Sequence, residues 1–444
     1  MNTGRSLRSG LFLSFGEKMS HSITHWEKLD NSAILFPAIA NDSMTNTYRL
    51  AVVLKEKVIG DILQEALEFV LGRFPGFKQR LRKGFFWYYL EENDKPVPKV
   101  EEESTYPCRS TRTNENNSYL FRVTYFDRRI NLEVFHVLAD GTGGFEFLKE
   151  LTFAYLRLSH EKLMEKRKGM LSEGTSVNRD DSFIRNYRKP EKFNYAYAVK
   201  KAFLIKGEKL PFHGFGVVNA HLSVAAVKKI AHSYGASINE LMVALFMYST
   251  YKAYKSGVSE KRPVRVAVPV NLRPYFDSIT TKNFFVMVSA EFIPTKPDYG
   301  FEEIVGIAKE SLRKQITKDN LESIFSFNVS GQQILLARTV PLVFKNIGLR
   351  AIYGRSAVAN TTTVTNMGQV KVPDDYAMYI ESFQCFLSFS KGQGLKLGIA
   401  SFQDVLTLSF STAFSDTTLI MEFLRKLSEL GAEAAIETNG VFYE

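Results

Sequence analysis

Residues 131–146 read NLEVFHVLADGTGGFE, and the fold of the whole chain turns on how this stretch is read. NLEVFHV has the β-branched and aromatic content of a strand, and LADGTGG is a turn signal. Beyond it, Phe147, Leu148, Leu151 and Tyr155 recur at helical spacing, which predicts a helix from about Gly143 to Leu158. His136 therefore stands at a strand end, with Asp140 and Gly141 in the following turn. Four extended residues span roughly 13 Å, too far for a side-chain hydrogen bond between His136 and Asp140. A Ser-His-Asp style relay is thus a poor reading of the pair. Asp140 is expected to fix the turn by pairing with a basic group elsewhere, and Gly141 to let another segment or a substrate approach closely. A histidine presented in this way can act as a general base near neutral pH. The competing reading is a structural histidine before a turn.

Working outward, SYLFRVTYF and RINLEVFHV flank Asp127-Arg128 and predict an antiparallel hairpin ending at His136. Ahead of it lie a strand in TYRLAVVLKEKV, a helix in IGDILQEALEFVLGRFPGF and an aromatic strand in KGFFWYYLEEN. Residues 160–200 are charged and poorly periodic, and mark the boundary between two lobes. The second lobe continues with strands in GVVNAHLSV, RPVRVAVPVNLRP, KNFFVMVSAEFI and VANTTTVTNMGQVKV, then GLKLGIAS and VLTLSFSTA. Helices are expected around AAVKKIAHSYG, FEEIVGIAKESLRKQI and the segment after Asp416, with INELMVALFMYSTYKAY apolar nearly all round and therefore buried. The expected division is a loose extension over 1–18, a first lobe over 19–185 carrying the histidine, and a second over 186–444. Met19 is an alternative start of translation.

Composition narrows the chemistry. The chain has 444 residues, 45% hydrophobic and 23% charged, an ordinary globular balance. No apolar run approaches the roughly 20 residues of a membrane span. The two cysteines, Cys108 and Cys385, lack metal-type spacing and indicate no disulfide framework, so a cytoplasmic location is expected. A formal charge of +10 suits an anionic partner such as coenzyme A, an acidic carrier protein or a membrane surface; no nucleic-acid motif accompanies it. GTGGFE is not a dinucleotide loop, because Glu146 stands where G-x-G-x-x-G needs glycine. No G-x-S-x-G elbow occurs and neither cysteine has an evident partner, which points to direct deprotonation of an acceptor without a covalent intermediate. His21 and His25 lack further ligands, so no metal is expected; His160, His213, His221 and His232 read as structural.

Four segments in order, HVLADG (135–141 region), SINELMVA (237–244), VPVNLRP (268–274) and TVTNMGQV (363–370), make the chain from about Trp26 onward resemble the coenzyme A-dependent acyltransferase superfamily with the chloramphenicol acetyltransferase-like fold. The likeness is to bacterial alcohol acetyltransferase-like proteins, condensation domains and wax ester synthases, whose H-x-x-x-D-G it matches. Phe135 stands where many members have a second histidine, and the D-F-G-W-G segment of the plant enzymes is missing. The resemblance implies an α/β (α+β) protein of two lobes, mixed sheets flanked by helices, with a channel between them and His136 at its middle. It implies acyl-coenzyme A as co-substrate with no permanently bound cofactor, and an alcohol or amine acceptor. It further implies a pairing of Asp140 with Arg273, and an oxyanion or substrate role for Thr365, Asn366 and Asn239, the last competing with a helix-capping reading of Ser237 or Asn239. The leading expectation is O-acyl transfer to a small or lipidic alcohol by a monomer, with peripheral membrane contact allowed by the charge. The alternatives are condensation of carrier-protein-bound substrates, and a non-catalytic binding member of the family. Acyl length and acceptor depend on channel shape, which no motif encodes.

Overall fold

The computed structural model describes residues 26–111, 116–164, 172, 174–189, 201–211, 214–333 and 339–440. The 1–18 extension, Met19, His21, His25 and His213 lie outside these residues. Among the described residues, strands form three sheets. A five-stranded sheet has the order β12 (Ile380–Leu387), β2 (Thr47–Leu54), β7 (Arg129–Phe135), β6 (Phe121–Phe126) and β5 (Glu101–Glu102). A seven-stranded sheet has the order β10 (Phe285–Phe292), β9 (Val264–Asn271), β11 (Thr362–Gln369), β13 (Leu395–Phe402), β14 (Val405–Thr412), β8 (Gly216–Ser223) and β15 (Ala435–Thr438). A small sheet joins β1 (Trp26–Lys28), β4 (Tyr88–Glu92) and β3 (Gln79–Lys83). β11 runs parallel to both β9 and β13, while β9–β10 and β13–β14 are antiparallel, so the large sheet is mixed.

β6 and β7 form the hairpin read from the sequence, in register from Phe121–Val134 to Phe126–Arg129. Its turn places Asp127 at φ 48°, a left-handed conformation that aspartate tolerates better than most residues. β2 lies between β7 and β12 and is buried along nearly its whole length. Alternate residues face opposite sides of a strand. Tyr48, Leu50 and Val52 join the core with Phe147 and Leu151 of the helix Gly141–Ser159. Ala51, on the opposite face, packs with Phe215, Val217 and Phe386. The second core surrounds the helix Ile238–Ala253, in which Leu241 through Met247 are all inaccessible to solvent, as its unbroken apolar run requires.

β12 was not among the expected strands, and it is the element that ties the sheets together. It comes late in the chain yet pairs antiparallel with β2, Cys385 opposite Leu50. Its other neighbour in space is β13: a Cβ placed on Gly398 would lie 2.0 Å from the Cys385 carbonyl oxygen. Only glycine permits that approach. The two large sheets thus meet at β12 and β13, and a cavity is lined by both. The helices Lys318–Gln333 and Leu342–Ser356 were also unanticipated. Within the charged stretch read as a boundary, the Asn178 carbonyl accepts a hydrogen bond from the Thr281 N–H at 2.8 Å, so part of it runs beside the segment after β9.

Candidate active site

The end of β7 is held before it turns: the His136 N–H donates to the Asn46 carbonyl at 3.0 Å, and the Leu138 N–H to that of Phe135 at 2.9 Å. Asp140 then caps the helix Gly141–Ser159, its Oδ1 accepting from the Gly143 N–H at 3.1 Å. A carboxylate is favoured there by the positive end of the helix dipole. The same carboxylate forms a two-pronged ion pair with Arg273, Nη1 to Oδ2 at 2.8 Å and Nη2 to Oδ1 at 3.0 Å. Its Oδ2 also accepts from the Phe284 N–H at 2.9 Å. Arg273 donates its remaining hydrogens to the Thr280 carbonyl, the Asn271 side chain and the Lys282 carbonyl. All five guanidinium N–H groups are therefore used. Asp140 faces away from His136, clamping the turn to the 271–284 segment.

The glycines make room for these crossings. A Cβ on Gly143 would sit 2.1 Å from the Thr281 carbonyl oxygen, and one on Gly141 would meet Met367 Cε at 2.6 Å. Gly141 is thus where β11 passes the histidine turn, bringing Thr365 and Asn366 to the same cavity as His136. Asn366 Oδ1 accepts from the Gly368 N–H at 2.8 Å, bracing a bulge in β11 where Gly368 has φ 72°. Thr365 is buried on the cavity side.

Asn239 lies elsewhere. It is the second residue of the helix Ile238–Ala253, and the cavity lining does not include it. Ser237 and Glu240 form a capping box there, and Glu240 pairs with Arg313 at 2.7 Å. The SINE segment is thus a helix start by its local chemistry.

His136 is fixed by a network that no motif announced. Its Nδ1 lies 2.9 Å from Asn283 Oδ1. Asn283 Nδ2 donates to Asp30 Oδ2 at 2.9 Å and to the His136 carbonyl at 3.0 Å. With both amide hydrogens committed, Oδ1 can only accept, so Nδ1 of His136 must carry its proton. Nε2 is left as a lone pair with no hydrogen-bond partner among the described residues, and His136 lines the cavity. Phe36 stacks on the imidazole at 4.6 Å between centroids, and Tyr48 and Phe285 approach at 5.0 and 5.5 Å. Burial among these rings pushes the histidine below its ordinary value, against the opposing effect of the Asn283 hydrogen bond. Asp30, held by Asn283 and the Ala33 N–H, is pushed up to about 6 by burial.

The cavity has a volume of about 2820 Å³, well beyond the roughly 300–1,000 Å³ of a pocket for one small ligand. Its walls include the helix Leu342–Ser356 and residues of β9, β10, β11, β12 and β13. Cys385 borders it, but burial pushes its thiol up to about 12, so it is no thiolate at neutral pH. Among the described residues no His, Cys, Asp and Glu cluster could hold a metal ion, and no helix is long and apolar enough to cross a membrane.

No protein-family model and no curated protein matches the chain. Solved structures do. The trichothecene 15-O-acetyltransferase TRI3 from Fusarium sporotrichioides aligns with TM-score 0.61 at 14% identity, over 91% of this chain and 93% of that one. TRI101 of F. sporotrichioides, solved with coenzyme A and T-2, gives 0.61 at 11% identity over 92% and 99%. The first condensation domain of the CDA synthetase gives 0.60 at 14% identity over 92% and 96%. These alignments show the fold: the chain has the two-lobed chloramphenicol acetyltransferase-like fold shared by coenzyme A-dependent acyltransferases and condensation domains.

Proposed function

We propose that the protein transfers an acyl group from acyl-coenzyme A to the hydroxyl of a small or lipidic alcohol, with His136 as general base. The observation that carries this reading is the fixed tautomer of His136, whose unprotonated Nε2 borders a cavity with room for two substrates. The acceptor O–H gives its proton to Nε2 as its oxygen attacks the thioester carbonyl. The new C–O bond forms and the carbonyl oxygen becomes an oxyanion, for which Thr365 Oγ1–H or Asn366 Nδ2–H is the donor. The C–S bond then breaks, and the imidazolium returns the proton to sulfur. Asn283 stabilises that imidazolium through Nδ1–H, with the Asp30 carboxylate behind it. Such a positioned base contributes about 10²–10⁴-fold. Asp140, Gly141 and Arg273 support the turn and take no proton.

A lipidic acceptor is supported by the outer face of the helix Leu342–Ser356. Val343, Phe344 and Ile347 are exposed there, with Phe85 also exposed and its carbonyl accepting from the Leu342 N–H. We take this face as a peripheral contact with a membrane surface. A second reading, condensation of carrier-bound substrates, is favoured by charge. No Asp or Glu occurs between Glu322 and Asp374, and Lys345, Arg350 and Arg355 lie on that helix.

The test is release of free thiol from acetyl- and longer acyl-coenzyme A in the presence of mixed alcohols and amines. Turnover by the wild type that is abolished in His136→Ala supports the proposal. Turnover unchanged in that variant refutes His136 as base. Turnover only with acyl carrier protein as donor favours condensation.

A further inference from the structure

Lys396 is a buried cation that the proposed reaction does not use. It precedes Leu397 on β13, which pairs with Val364 of β11, and it lines the same cavity as His136. The residue is 7% exposed. Its Nζ donates to Ser390 Oγ at 2.5 Å, its one hydrogen-bond partner among the described residues. An ammonium carries three donors, so two are left without a protein acceptor. Among the described residues no carboxylate pairs with it, whereas the buried Arg49, Arg273 and Lys282 meet Glu133, Asp140 and Glu27. Gln393, another polar residue of the cavity wall, makes its hydrogen bonds elsewhere: its Oε1 accepts from Thr363 Oγ1, and its Nε2 donates to the Ala357 carbonyl. Burial pushes the Lys396 ammonium down to about 8, which still leaves it mostly charged at neutral pH.

A lone buried charge of this kind is costly unless something pairs with it. The cavity is the side from which a partner can come. One ammonium beside one hydroxyl, on the wall of a cavity that Cys385 and Leu387 also line, matches a monoanion with two oxygens. A phosphate dianion would need more donors than this site has.

We propose that Lys396 is the recognition point for a carboxylate on a substrate bound in the channel. Resting on the acyltransferase reading, the substrate class becomes a hydroxy acid, its hydroxyl at His136 and its carboxylate at Lys396. The same chemistry on the donor would be a dicarboxylic acyl-coenzyme A.

The test is equilibrium binding, which needs no turnover. Calorimetric titration of the full chain would use ω-hydroxy acids from hydroxybutyrate to hydroxydecanoate, each against its methyl ester. A second arm compares succinyl- with butyryl-coenzyme A. A charge-assisted contact of this type predicts at least one acid binding about tenfold or more tighter than its ester, in whichever arm carries the carboxylate. Lys396→Met should erase that preference and leave ester binding in place. Its melting temperature should equal or exceed that of the wild type, because an unpaired buried charge is gone; a purely structural lysine would lower it. Equal binding of acid and ester in both arms of the wild type would overturn the proposal without any variant, as would a preference that survives Lys396→Met. Binding that follows the prediction while no thiol is released would defeat the acyltransferase reading and keep the carboxylate site.

Discussion

At the scale of single residues, the decisive arrangement is His136–Asn283–Asp30. Asn283 does for the imidazole what a carboxylate does in a serine-protease relay: it fixes the tautomer and orients the ring. It does so without a full charge in contact, and burial outweighs the upward pull of its hydrogen bond. Burial lowers its pKa, and the base form is the active one. Rate should therefore fall on acidification through a value below the ordinary 6.5 of histidine, and hold constant above it. Asn283→Ala frees the ring to exchange tautomers, and kcat should drop by about 10–100-fold, a fraction of what the whole base contributes. The pH–rate profile of wild type and variant checks both statements. Loss of kcat with KM nearly unchanged is the expected split, since Asn283 is not among the residues lining the cavity.

At the scale of elements, the clamp between the helix Gly141–Ser159 and the 271–284 segment governs stability. Asp140 and Arg273 are both more than nine-tenths buried and mutually satisfied. Removing one partner strands the other, at a cost of about 3–5 kcal/mol. Arg273→Ala should lower the denaturant midpoint accordingly, and charge reversal at either position should damage folding more than chemistry. Arg273→Lys will not restore it, because an ammonium cannot replace a five-donor fork. Equilibrium denaturation of these four variants tests the ordering. Strand geometry separates Asp140 from His136 and leaves it needing a cation; that the cation is Arg273 was implied by the resemblance of VPVNLRP to the superfamily, not by the spacing. Asn239 shows the opposite case: Ser237 and Glu240 answer to capping chemistry within four residues, and no site is needed to explain them.

At the scale of the whole molecule, the helix Leu342–Ser356 joins interior and exterior. Leu349 and Tyr353 line the cavity, while Phe344 and Ile347 stand in solvent beside a basic flank. Exposed apolar side chains flanked by lysine and arginine are drawn to the interface of acidic bilayers. The protein should co-sediment with vesicles of phosphatidylglycerol and phosphatidylcholine, and much less with phosphatidylcholine alone. Salt should weaken the binding, and Phe344→Glu with Ile347→Glu should reduce it by about tenfold or more. Equal recovery with both vesicle types would remove charge from the account. Co-sedimentation unaffected by the double variant would remove this helix.

The sequence by itself determined the hairpin that ends at His136, the turn that needs glycines and the buried helix after Ser237. These are local: each follows from period, turn chemistry or capping within a few residues. Tertiary structure alone decided the setting of His136, on which its proposed role as base rests. Asn283 and Asp30 stand 147 and 253 residues apart from their partners in the network, and an asparagine before a strand carries no local sign of such a contact. β12 was hidden for the same reason, since its place beside β2 depends on a strand more than 300 positions away in the chain. Lys396 is the clearest case. In sequence it is one more basic residue of an alternating strand; only the meeting of β12 and β13 buries it against a cavity, with a charge that no carboxylate among the described residues answers.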